Sequence, residues 1–162
     1  MRDIDRAHLH PRMRTAAELL DAAILAAGLP LRFYEGARTP DRQAELYARG
    51  RTAPGKIVTH AKPWQSFHQY GCAVDYAGWS DHDGWTWPRA DDPLWLAFTK
   101  MAGNLGLRTL AFERPHAELP LAMSELRGGR LPPGADASFR LWFEAACFSW
   151  PAGAPSCLCS QP

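Results

Sequence analysis

Hydrophobic positions recur at helical spacing in two long stretches. Leu19, Leu20, Ala23, Ile24 and Ala27 predict a helix over 15–27, and Gly28 suits its stop. Leu94, Trp95, Phe98, Met101, Ala102 and Leu105 predict a second over 93–105, ended by Gly106. Between them the period changes. Leu31-Arg32-Phe33-Tyr34-Glu35 alternates and carries aromatics, as a short strand does. Thr39-Pro40-Asp41 suits a helix start, with Pro40 in the first turn and continuation through Gln43, Leu46 and Tyr47 to Gly50.

The stretch 52–65, with Pro54, Gly55 and Pro63, reads as a long loop. A strand is expected over 72–76, then a loop or hairpin over 78–92 holding Trp79, Trp85 and Trp87. Those aromatics are expected to pack over the edge of the core rather than to floor a groove. A further strand is expected over 107–112, a Gly/Pro linker over 128–134 and a short helix over 137–146. The pattern predicts an α+β fold: a small antiparallel sheet flanked by helices. We expect a single domain over 1–150 and a loose tail over 151–162.

At 162 residues, with 46% hydrophobic and 22% charged positions, the chain is long enough to bury a useful core. The formal net charge of +1 gives no electrostatic case for nucleic acid. Arg38, Arg42, Arg49, Arg51 and Lys56 cluster in sequence and read as a solvated helix face and loop. No run of about 18 apolar residues suggests a membrane span. The start, Met-Arg-Asp-Ile-Asp-Arg, lacks the apolar core of a secretory signal, so synthesis in the cytoplasm is expected. Cys72, Cys147, Cys157 and Cys159 are too few and uneven for a disulfide framework. Cys157-Leu-Cys159 has one intervening residue, short for a zinc knuckle. Cys72, between small neighbours, reads as a packing residue.

Candidate chemistry lies in Ser66-Phe-His-Gln-Tyr-Gly-Cys-Ala-Val-Asp75 and in Phe112-Glu-Arg-Pro-His116. His68, Asp75 and His116 form a three-ligand set suited to a catalytic Zn²⁺, which keeps a fourth position for water. His68 and Asp75 are seven apart, so a turn at Gly71 is needed for both to face one point. Taken singly, a histidine is more often structural. His8 and His10 are expected at the surface, and His82, in Asp81-His82-Asp83, in a solvated loop.

At these residues the chain resembles the zinc D-Ala-D-Ala carboxypeptidase and L-alanyl-D-glutamate peptidase family, most of all its phage-endolysin branch. Glu35-Gly-Ala-Arg-Thr-Pro-Asp-Arg-Gln43, Ser66–Asp75 and Glu113–His116 carry the likeness in order, helped by the run 50–59. The resemblance implies Zn²⁺ on His68, Asp75 and His116, with Glu113 as general base. It implies that Arg38 stabilises the tetrahedral oxyanion, with Glu118 in a supporting role. Ser66, Gln43 and His60 are its substrate-binding candidates, Gln43 also as an orienter of the loop.

The implied activity is hydrolysis of peptidoglycan stem peptides, foremost between L-Ala and D-Glu. The alternatives are a D-Ala-D-Ala carboxypeptidase or dipeptidase, and a non-catalytic zinc domain used for wall binding. The expected partner is the stem peptide, met by a monomer that reaches the wall after release by a holin or another route. Two departures stand out. Trp64 replaces a Gly common in relatives, which is expected to narrow the mouth of the site. The segment between Gly106 and Glu113 is shorter and lacks a Trp-Gly-Gly run.

Overall fold

The computed structural model describes residues 1–155. Cys157 and Cys159 lie outside the described residues, as does most of the expected tail.

The expected α+β class is observed. Helices α1 (Pro11–Ala26), α2 (Pro40–Ala48), α3 (Pro93–Asn104), α4 (Met123–Arg127) and α5 (Ala137–Ser149) surround an antiparallel sheet. Its strands are β1 (Leu31–Glu35), β2 (Ala73–Ser80), β3 (Gly84–Thr86), β4 (Arg108–Leu110) and β5 (Glu113–Glu118). They run in the order β1-β2-β5-β4. β3 pairs with the far end of β2, on the same edge as β5.

Successive side chains of the central strand turn to opposite faces of the sheet. Tyr76 turns to the helices: its ring meets Phe98 of α3, and its hydroxyl donates to Asp21 Oδ1 of α1 at 2.7 Å. Asp75, one residue earlier, points to the opposite face. That face is open to α2 and to a 3-10 turn over Phe67–Tyr70.

The second packing centre lies under α5. Phe139 and Phe143 stack on each other, and Trp64 and Tyr70 pack against Phe143. Asp136 caps α5, accepting from Phe139 N at 3.0 Å. Here two expectations fail. His10 is fully buried rather than exposed; it caps α1 and its Nε2 lies 3.0 Å from the Pro132 carbonyl in the Gly/Pro linker. Trp64 is buried too, with its indole N–H donating to the Trp150 carbonyl at 3.0 Å. It therefore turns into this aromatic layer and does not narrow the site. Its φ of 63° explains why a glycine suits the position, since the left-handed region penalises a Cβ.

The elements otherwise sit close to expectation, with three differences. Helix α1 begins earlier, because Pro11 at its first turn tolerates the missing N–H. The strand expected over 107–112 divides: β4 stops at Leu110, and β5 starts at Glu113 after a turn that leaves Phe112 exposed. Helix α4 gave no periodic signal in its five residues.

Candidate metal centre and active site

Strand register builds the site. Asp75 of β2 pairs with His116 of β5 on one side and with Glu35 of β1 on the other. A bulge between Phe33 and Glu35 shifts β1 so that Glu35, not Tyr34, meets Asp75. Three adjacent strands thus set Glu35, Asp75 and His116 in one row. His68 comes from the 3-10 turn, which ends at Gly71 with φ 60°. Gly71 has two reasons to be glycine. A side chain there would strain the left-handed backbone, and a Cβ would stand 2.8 Å from the His8 carbonyl oxygen and 2.9 Å from His10 N.

The expected ligand set converges. His68 Nε2 lies 3.2 Å from Asp75 Oδ1 and 3.2 Å from His116 Nδ1, and His116 Nδ1 lies 3.1 Å from Asp75 Oδ1. A tetrahedral ion with bonds of about 2.0–2.1 Å would hold its donors about 3.3 Å apart. Each donor is also held from behind. His68 Nδ1 contacts the Gly36 carbonyl at 2.6 Å, Asp75 Oδ2 accepts from Arg38 Nη2 at 3.0 Å, and His116 Nε2 meets Glu118 Oε2 at 2.9 Å. Outer partners of this kind fix imidazole tautomers in metal sites. The donor set therefore fits a divalent cation such as zinc.

Electrostatics concentrate at the same point. Burial opposes charge on His116, yet the hydrogen bonds it donates to Asp75 and Glu118 override it and push its pKa up to about 10. Burial works against the Asp75 carboxylate as well, but His68 and His116 hold it well below the usual range. Without a cation the cluster retains a proton that a metal would displace.

A cavity of about 590 Å³ opens over the donors and is lined by Arg38, His60, Ser66, His68, Glu113 and His116 among others. A second, of about 360 Å³, adjoins it and shares Arg38, Val58, Thr59 and Glu113. Asp75 faces the second and the two histidines the first, so the donors stand where the cavities meet.

Asp75 faces the second cavity, and six of the expected site residues thus face the first together. Gln43 does not. It lies fully buried behind the wall, taking Arg38 Nη1 on its Oε1 at 3.1 Å and giving Nε2 to the Ala61 carbonyl at 2.7 Å. It ties α2 to the loop. Ser66 starts the 3-10 turn, its N–H donating to Gln69 Oε1 at 3.1 Å. His60 is exposed on the rim.

Arg38 is buried, and most of its donors are committed. Nε and Nη2 reach Glu35 Oε2 at 3.1 and 2.6 Å, and Nη2 also reaches Asp75. Among the described residues one Nη1 proton is left without an acceptor. Glu35, which accepts from Arg38, and the Gly36 carbonyl, which meets His68, were not singled out in the sequence and were visible only as parts of a motif. Glu118 is buried, accepts from Arg108 Nε at 2.7 Å and meets His116 Nε2 at 2.9 Å.

The antiparallel sheet and the turn beside it bring two histidines and an aspartate together at the meeting of two cavities, a donor set able to hold a metal ion. The sequence model of the VanY D-alanyl-D-alanine carboxypeptidase family matches residues 6–95, and the chain belongs to that family. The matched span contains His68 and Asp75 and ends before Glu113 and His116. The chain is also similar to the peptidoglycan L-alanyl-D-glutamate endopeptidase CwlK of Bacillus subtilis (strain 168). They are 36% identical over 104 residues, which is 60% of this chain and 62% of that protein. The match thus spans less than two thirds of its relative. No helix among the described residues is long and apolar enough to cross a membrane.

Proposed function

We propose that residues 1–150 form a zinc-dependent peptidase that hydrolyses peptidoglycan stem peptides, foremost the L-alanyl-D-glutamate bond, in endolysin-like lysis of the cell wall. The convergence of His68, Asp75 and His116 to mutual distances of 3.1–3.2 Å beside Glu113 carries this reading. The likeness to CwlK supports the choice of bond. The family match favours, as a second reading, removal of a terminal D-Ala from D-Ala-D-Ala.

Zinc held by these donors would supply Lewis acidity and lower the pKa of the attacking water. The remaining work falls to side chains. Glu113, exposed on the wall of both cavities, takes the proton from that water and returns it to the leaving amine. Arg38 fixes Asp75 through Oδ2 and directs its remaining Nη1 proton to the oxyanion as charge develops there. Glu118 and the Gly36 carbonyl hold the two imidazoles in the tautomers that ligation requires. Ser66 and His60 offer polar contacts to the peptide in the first cavity.

Digestion of purified peptidoglycan, with mass spectrometry of the new ends, tests the proposal. New N-terminal D-Glu is expected. Release of free D-Ala alone would favour the second reading, and an intact polymer with zinc bound would favour a wall-binding domain.

A further inference from the structure

We propose that the second cavity is an anion subsite, in which Arg49 and Arg42 read the free α-carboxylate of the D-residue on the leaving-amine side of the cut bond. The inference rests on the peptidase reading.

Arg42 and Leu46, one turn apart on α2, and Arg49, the residue that caps its C-terminal end, line one wall of this cavity. Tyr34 and Trp87 form part of the remaining wall, edge to face with ring centroids 4.9 Å apart. The sequence had placed these arginines on a solvated face. Arg49 is exposed as expected and Arg42 half-buried, and both also line a cleft that joins the metal centre.

Three carboxylates also face the cleft, and each has other work. Glu35 is buried and accepts from Arg38, Asp75 is aimed at the metal point, and Glu113 is the proton carrier. Arg42 gives Nη1 to Glu45 at 3.0 Å and stands 3.5 Å from Glu35 through Nε, so its Nη2 remains. Arg49 is exposed, and among the described residues its guanidinium has no ion pair or hydrogen bond. It is the cation of this cavity that no carboxylate of the described chain neutralises.

Substrate chemistry matches that charge. In a stem peptide D-Glu continues through its side-chain carboxyl, so its α-carboxylate is free. At a D-Ala-D-Ala terminus the departing D-Ala also carries a free α-carboxylate. Both candidate bonds therefore release a D-residue with a carboxylate on the carbon next to the departing nitrogen. Glu113 borders both cavities, so it can protonate a nitrogen whose carboxylate lies against Arg49. A planar guanidinium is suited to this recognition, and the cavity's position beside the metal keeps it within reach of the scissile bond.

Isothermal titration of the zinc-loaded protein tests the subsite without turnover. The probes are a γ-linked D-glutamyl peptide against its α-amide, and D-alanine against D-alaninamide. Wild type is expected to prefer the acid by roughly 10-fold or more, as for one charge-assisted hydrogen bond pair. The Arg42→Gln, Arg49→Gln double variant should bring acid and amide to within about twofold, and Arg49→Lys should keep part of the preference. A preference confined to the glutamyl pair assigns the site to D-Glu; one confined to the alanine pair assigns it to a terminal D-Ala. Equal binding of acid and amide by wild type, or a preference untouched in the double variant, overturns the proposal. If peptidoglycan stays uncut while arginine-dependent acid binding persists, the peptidase reading fails and the subsite stands.

Discussion

The ligand row across β1, β2 and β5 and the aromatic layer beneath α5 are both buried, and they are built on opposite rules. In the row each position depends on which atoms a side chain offers. Asp75 presents one oxygen to the histidines and the other to Arg38. In the aromatic layer each position depends on volume and contact: Phe139, Phe143, Trp64 and Tyr70 fill space, with single polar tips such as the Trp64 indole N–H tied off. A near-isosteric change of chemistry should thus break the row and spare the fold. A loss of volume should weaken the layer and spare the ligand geometry.

The largest effect is expected from the ligands themselves. A His68→Ala, His116→Ala double variant should lose bound zinc by elemental analysis and all measurable hydrolysis. Full zinc occupancy in that variant would move the site elsewhere.

Glu113→Gln separates metal binding from turnover. The amide cannot accept a proton, so turnover should fall by roughly 10²–10⁴-fold while zinc content stays that of wild type. Near-normal turnover would pass the role to another group.

Phe143→Ala tests the other side of the comparison. Deleting a ring that is fully buried against Trp64, Tyr70 and Phe139 should cost about 3–5 kcal/mol in denaturant unfolding. Zinc affinity of the folded fraction should not change, because no ligand touches this ring.

Arg38→Lys sits between the two rules. Lysine keeps the charge and loses the fork that spans Glu35, Gln43 and Asp75. We expect kcat to fall by about 10²-fold with little change in KM. A rise in KM alone would make Arg38 a clamp for bound substrate.

The smallest effect belongs to the cap of α5. Asp136→Ala should cost about 1 kcal/mol. The Phe139 amide and Arg14 lower the folded-state pKa of Asp136, so its contribution is present above the unfolded value and is lost as pH falls through the folded one. The stability gap between wild type and variant should therefore close in acid. A gap independent of pH would show that helix propensity, not the carboxylate, sets it.

Local signals made much of this molecule legible. Periodicity located α1 and α3, a proline-led start located α2, alternation located β1, and the residues of the Ser66–Asp75 block named two candidate ligands. What escaped depended on distance along the chain. His10 is buried because a carbonyl 122 residues away meets its ring. Trp64 belongs to the layer under α5, whose partners lie far along the chain. Ala111 and Phe112 are apolar, so the turn between β4 and β5 looked like strand. Glu35 faces Asp75 only because of a bulge, and no pattern of residue types announces a bulge. Arg42 and Arg49 read as a solvent face from their clustering in sequence, which does not show that the same face borders a cleft.

The row of Glu35, Asp75 and His116 also acts as a gauge of assembly. A slip of one residue between β2 and either neighbour turns alternate side chains to the other face of the sheet. Misregistered chains would then lack a complete set of donors, even where their backbone bonding was otherwise sound. A cation that binds only the complete set draws the population towards the correct register by mass action, by RT ln(1 + [L]/Kd). An ion held there for chemistry would thereby also select the copies folded to perform it.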